Sequence, residues 1–302
     1  LTVGAVACEK ERLMKIACRG LWILLAAGSL LADEPARLPE VVVTGTQLQE
    51  EQPVGPYQQP AWTTARRFST TRVYVQQPPW GMGVEQWWRG QFYRDGESAH
   101  RFQEELAIGL PHRLQLDIYW DWIVNKAHQT HYLDTAVELR WAVADWGKIP
   151  LNPTLYGEWK FTDANQGPDK FEVKLLLGEE IVPRWHWGLN LVYEQEVGGD
   201  RAIEWAVSQG LSYTVWDEKL SVGAELKFTH ETEAGNRSDG EFVLLLGPSV
   251  QWRPCRNTHV DVVPLCGVTG HAPRVEAFVV IGIDFGPGHD RVATAPVSTR
   301  SQ

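Results

Sequence analysis

The chain has 302 residues, with 38 Asp and Glu against 28 Lys and Arg and a formal net charge of -10 at pH 7. That balance excludes the clustered basic surface a nucleic-acid partner requires, and a mean hydropathy of -0.28 excludes a polytopic helical membrane protein. A membrane barrel stays allowed, because half of every barrel strand is polar.

Residues 1–32 read as an upstream extension and a secretory signal peptide, the latter from Met14 to Ala32. Lys15 and Arg19 open it, Leu21–Ala27 gives a short apolar stretch, and Ser29–Ala32 offers the cleavage region. The apolar run is shorter than the roughly 20 residues a spanning helix needs. Residues 33–80, rich in Pro, Gln, Thr and Glu and without periodicity, read as a flexible periplasmic arm. Within it, the Leu38–Thr46 run Leu-Pro-Glu-Val-Val-Val-Thr-Gly-Thr resembles the TonB box of TonB-dependent outer-membrane receptors. The resemblance implies that Glu40, Val41, Val42, Val43 and Thr44 pair, by strand addition, with a periplasmic TonB-like protein. The rest of the chain departs from that family, being too short for a plug domain plus a barrel of roughly 22 strands.

From Gly83 onward apolar and polar residues alternate with a period of two, the pattern of strands between two media. The clearest strand is Arg113–Val124, with Leu114, Leu116, Ile118, Trp120 and Trp122 on one face and Gln115, Asp117, Tyr119 and Asp121 on the other. Similar segments follow around Leu133–Val143, Leu155–Phe161, Phe171–Leu177 and Trp185–Glu194. Others run through Ile203–Val215, Leu220–Phe228, Phe242–Trp252, Thr258–Gly267 and Arg274–Phe285. With Gly83–Arg94 and Phe102–Leu110 this makes about twelve strands. Tight turns, after Leu110, Val143, Glu180, Val215 and Trp252, alternate with looser polar loops. Short turns at one end and longer loops at the other are the habit of an outer-membrane barrel.

A soluble sandwich would alternate as well, with its faces exchanged. Strands of ten or more residues suit tilted membrane spans better than globular strands, whose mode is about five or six. Trp120, Trp122, Trp141, Trp185, Trp187 and Trp252 cluster toward strand ends, as membrane girdles do. Residues 81–285 therefore resemble the small single-chain outer-membrane β-barrels of Gram-negative bacteria. The expected fold is all-β: a transmembrane antiparallel up-and-down barrel of about twelve strands, followed by a polar tail at 286–302. The resemblance implies outer-membrane lipid as solvent. It also implies a final strand, ending at Phe285, that is read by the barrel assembly machinery.

The polar face then becomes the lumen. Asp117, Asp121, Glu138, Arg140, Glu158, Lys160, Glu172, Lys174, Glu225 and Lys227 are the expected lining, many as acid–base pairs two apart. The lining reads either as an acid-biased porin-like channel for small polar solutes or as a ladder of ion pairs that closes the lumen. In the second case the barrel is structural and its arm docks a partner. No enzyme is expected: Asp117 and Asp121 lack an activated nucleophile, and His186 stands alone among Trp residues. His128 and His131 lack further ligands, so no metal or cofactor is assigned. Cys255 and Cys266, separated along one extended segment, are not expected to bridge.

Overall fold

The computed structural model describes residues 48–125 and 129–287. The signal peptide, the Glu40–Thr44 segment and His128 lie outside the described residues, as does all but the start of the expected tail. A minimal antiparallel pair, β1 (Pro53–Val54) and β2 (Gln59–Pro60), precedes the barrel. The barrel strands are β3 (Met82–Phe92), β4 (Ser98–Leu110), β5 (Leu114–Val124), β6 (Thr130–Ala142), β7 (Thr154–Thr162) and β8 (Lys170–Val182). They continue with β9 (Trp185–Glu196), β10 (Ile203–Trp216), β11 (Leu220–Thr232), β12 (Glu241–Cys255), β13 (Thr258–Gly267) and β14 (Val275–Phe285). Each pairs antiparallel with its chain neighbours, and β14 returns to β3, so the sheet has no free edge.

Alternation places the two faces as the sequence requires. Along β5, Gln115, Asp117, Tyr119 and Asp121 are buried inside, whereas Trp120 and Trp122 are exposed outside. The same holds on neighbouring strands, where Leu139, Leu155, Val173 and Leu191 face outward. An apolar exterior around a charged interior is stable only when the surrounding medium is hydrocarbon.

Connections sort by end. At one end the links are short: 111–113, 183–184, 217–219 and 256–257. At the other they run from 93–97 to the eight residues 233–240. We refer to these as the turn end and the loop end. The first tight turn puts His112 and Arg113 in the left-handed region at φ 62 and 63, the geometry of a primed hairpin turn. Arg113 offsets that strain by donating to the Ala142 carbonyl at 3.1 Å and to Asp145 at 3.1 Å. The expected tight turn after Val143 is instead the eleven-residue connection 143–153, which folds over the turn end.

The larger correction concerns the arm. Most of residues 48–77 is packed inside the barrel: Trp62, Phe68, Tyr74 and Val75 are buried, and so are Arg66 and Arg67. A segment without periodicity can be ordered when another element satisfies its backbone groups and counter-ions. Here the wall does both. Cys255 and Cys266 are both free thiols on the exposed side.

Candidate functional site

The interior segment enters and leaves at the turn end. The Gln49 and Glu50 amides donate to the Asp217 carboxylate of the β10–β11 turn at 2.7 and 3.1 Å. Glu51 accepts from the Arg184 amide of the β8–β9 turn at 2.5 Å. Burial works against the Glu50 charge, but Arg67 at 3.0 Å and the Thr214 hydroxyl outweigh it and hold the carboxyl below its ordinary range. The long 143–153 connection closes over the segment. The Trp146 amide donates to the Tyr57 carbonyl at 2.9 Å, and its ring meets Trp62 and Tyr74 edge-on.

Further in, two arginines find their counter-ions on the wall. Arg66 binds Glu85 at 2.7 Å and Glu105 at 2.9 Å and lies 4.0 Å over the Trp87 ring. Arg72 reaches Glu105 at 3.0 Å and the Tyr119 hydroxyl at 3.1 Å. At the tip, Glu225 accepts from the Ser69 and Thr70 amides at 3.0 and 2.7 Å and from the Thr70 hydroxyl at 2.6 Å. Asn190 brackets Arg72, accepting from its amide and donating to its carbonyl, both at 2.7 Å.

The wall also leaves room for the segment. Gly178, Gly188 and Gly210 are register neighbours on β8, β9 and β10. A Cβ on Gly188 would lie 2.7 Å from Val73 and 3.0 Å from Thr71, and one on Gly210 would overlap the Phe68 ring. The absent side chains form the socket for Phe68 and Val73. On the return path, Gln115 accepts from the Gln76 and Gln77 amides at 2.7 and 3.0 Å while donating to Asp117 at 2.8 Å. Replacing Gln115 by Leu would strand two buried N–H groups, each costing about 1–3 kcal/mol. The expected result is faster hydrogen exchange at Gln76 and Gln77 than at strand amides.

The expected lining residues all point inward and divide into two groups. Asp117, Glu138 and Arg140 form a fully buried ion triad beside the segment, and the Tyr119 hydroxyl donates to Glu138. Arg140 also donates to the Gln76 side chain at 2.9 Å. Asp121, Glu158, Lys160, Glu172, Lys174 and Lys227 lie toward the loop end, around a cavity of ≈ 230 Å³ floored by Ser69, Thr70 and Arg72. Three of the expected acid–base pairs form: Glu138–Arg140, Glu158–Lys160 at 3.3 Å and Glu172–Lys174 at 2.6 Å. Glu225 and Lys227 do not pair in this way, because the interior segment has claimed Glu225. With the segment seated, the cavity lining carries Arg72, Arg89, Arg101, Lys160, Lys174 and Lys227 against Asp121, Glu158, Glu172 and Glu204. The acid bias is thus not expressed at this surface.

The wall itself carries a row of acids. Asp117, Glu138, Glu158, Glu172, Glu194, Glu204, Glu231 and Glu241 are successive register partners on eight adjacent strands, β5 to β12. The row rises from the buried triad to the loop end, where Glu231 and Glu241 are exposed.

Sequence reasoning missed Arg66, Arg67, Phe68 and Arg72. One signal pointed to them: between Glu51 and Glu85 the acidic chain has no carboxylate and three arginines. It also missed an inward apolar patch of Trp87, Leu245, Val263, Leu265, Phe278 and Val280. Of the tryptophans, Trp122 lies near the loop end and Trp120 in that half of β5, both exposed. Trp141, Trp185 and Trp252 are exposed near the turn end, and Trp187 is half-buried two residues into β9. His131 sits beside Asn125 at 2.9 Å.

Strand number, closure and inverted faces define a transmembrane β-barrel with an internal plug. Among solved structures, the chain is similar to the COG4313 outer membrane channel from Pseudomonas putida F1, with a TM-score of 0.55 and 11% identity over 70% of this chain and 98% of that one. The NanC porin (TM-score 0.46, 11% identity, 68% and 99% covered) and the KdgM porin (0.44, 10%, 68% and 98%) also match. The first likeness shows a shared outer-membrane barrel fold at a sequence distance where no function is inherited. No family model and no curated protein matches the sequence.

Proposed function

We propose that the protein is a plugged outer-membrane channel. In this reading small polar solutes cross an acid-lined lumen once residues 48–77 leave it. The carboxylate row from Asp117 to Glu241 carries the proposal. A barrel that only needed internal struts would alternate the sign of charge between register neighbours, since like charges directly opposite are destabilising. Eight acids in succession serve better as a track for cations and hydrogen-bonding solutes. Arg66 and Arg72 neutralise Glu85 and Glu105 while the segment is seated, so its removal exposes those carboxylates and Glu225 as well. The outer tryptophans then act as girdles at the two membrane interfaces.

Planar-bilayer recording tests this on two forms of the protein. The full-length barrel is expected to conduct little, and a variant lacking residues 48–77 is expected to open steadily and to prefer K+ over Cl- in a salt gradient. Heat-modifiable migration on gels verifies that the shortened barrel is folded. A folded, shortened barrel that passes no current would sink the channel, and a preference for Cl- would sink the acid bias.

One observation favours a second reading, a barrel whose arm docks a partner. The TonB-box-like segment ends two residues before Leu48, and the plug residues just after it are held at the turn end by Asp217 and Arg184. A periplasmic TonB-like protein pairing with Glu40–Thr44 would pull first on those contacts. Deleting Val41–Thr46 should abolish capture of such a protein while leaving the barrel folded; unchanged capture would dismiss this reading.

A further inference from the structure

We propose that Glu51, Glu180 and His186 form a site for a divalent transition-metal ion that clips the plug to the barrel wall. The three residues come from different elements. Glu51 is in the first turn of the plug, Glu180 is near the end of β8, and His186 is its register partner on β9 across a two-residue hairpin. One donor atom from each lies within 4.8 Å of the others.

The imidazole is what distinguishes this group from an ordinary acidic cluster. His186 is fully buried, stacked on Trp62 with ring centroids 4.5 Å apart, and neither ring nitrogen has a hydrogen-bond partner among the described residues. Buried polar atoms are rarely left so, and each exception calls for an explanation. Its Nε2 is 3.7 Å from Glu51 Oε1, too long for a hydrogen bond. Two ligands each about 2.0–2.2 Å from a shared zinc-class ion leave a gap of that order between them. Nδ1 faces Glu50 at 3.7 Å, but that carboxylate is engaged by Arg67 at 3.0 Å and by Thr214.

An imidazole nitrogen and two carboxylate oxygens are donors of the kind Zn2+ takes, and a three-ligand zinc site completes its shell with water. Mg2+ is a poor fit, because it favours an oxygen octahedron and keeps most of its water. The ion would bridge plug and wall at the place where the segment enters the lumen. Binding itself does not depend on whether the barrel conducts.

The test uses the full chain in detergent, stripped with EDTA and titrated calorimetrically with Zn2+ and, in parallel, Mg2+. One Zn2+ per chain is expected, with no Mg2+ uptake at the same concentrations. Loss of a second-shell partner already costs about 10–100-fold in affinity, so His186→Ala and Glu180→Gln should each weaken Zn2+ binding at least tenfold. His131→Ala, in the loop-end β5–β6 hairpin, should leave it unchanged. If His186→Ala does not give a heat-modifiable barrel, the milder Glu180→Gln decides. Zn2+ should also slow hydrogen exchange across Leu48–Gln52. Absence of Zn2+ uptake, or equal affinity in folded variants and the parent, overturns the site; uptake without slower exchange overturns the clip.

Discussion

Arg140→Met is expected to destabilise the folded barrel by about 3–5 kcal/mol, the cost of leaving buried charge without its partner. Arg140 is wholly buried and is held by Asp117, Glu138 and the Gln76 side chain. Its removal would leave two carboxylates, register neighbours on β5 and β6, facing each other with no intervening cation. Repair by protonation is possible but consumes part of the same energy. The change also loosens the plug, since Gln76 loses its donor. Urea unfolding in detergent, followed by tryptophan fluorescence, measures the effect. A variant unfolding within about 1 kcal/mol of the parent would show that the triad contributes no more than an exposed pair does. The double change Arg140→Met with Glu138→Gln should recover part of the loss, because it removes one of the stranded charges.

Gly210→Leu should act on the plug and spare the barrel. The position lies on the inner face of β10, and any side chain there enters the volume held by the Phe68 ring. Overpacking of this kind costs about 1–3 kcal/mol, which lowers the ratio of seated to withdrawn plug by roughly 5- to 150-fold. Limited proteolysis reads this directly: cleavage near Arg66, Arg67 and Arg72 should accelerate while heat-modifiable migration persists. Gly157 is on the outer face of β7, level with Leu139 and Val173, and has nothing among the described residues within 4 Å of an added Cβ, so Gly157→Leu is the control that adds the same side chain away from the plug. Equal cleavage of the two variants would mean that the glycine row is not a socket.

The barrel was legible because its signal is local. On β5 a one-residue step exchanges Asp117 and Tyr119 for Leu116 and Ile118, and every strand repeats the lesson. Legibility failed where both faces share a character. Along Val262-Val263-Pro264-Leu265 and Phe278-Val279-Val280-Ile281 apolar residues face both lipid and lumen, so alternation says nothing about the apolar inner patch. The plug was illegible for a different reason. Its order depends on partners such as Glu85, Glu105, Gln115 and Glu225, up to 155 residues away, and no local pattern encodes those distances. Lumen positions such as Glu158 and Lys160 followed from facing alone, whereas the separation of Glu225 from Lys227 needed the plug to be seen.

The plug is attached to the barrel at its C-terminal side by more than the chain. Gln77 donates to Asp284 on the last strand at 2.7 Å, and the Trp80 amide and Gly81 carbonyl bracket Gly109 at 2.7 and 2.9 Å before β3 begins. In the proposed channel, withdrawal begins at Leu48 and leaves Pro78 and Pro79 as the leash. A leashed occupant never dilutes: its local concentration stays on the order of millimolar for a short tether. Reclosure is then a first-order event whose rate is blind to protein concentration. A free peptide copy of residues 48–77, supplied at micromolar levels, would be outcompeted by the tethered original each time the lumen empties.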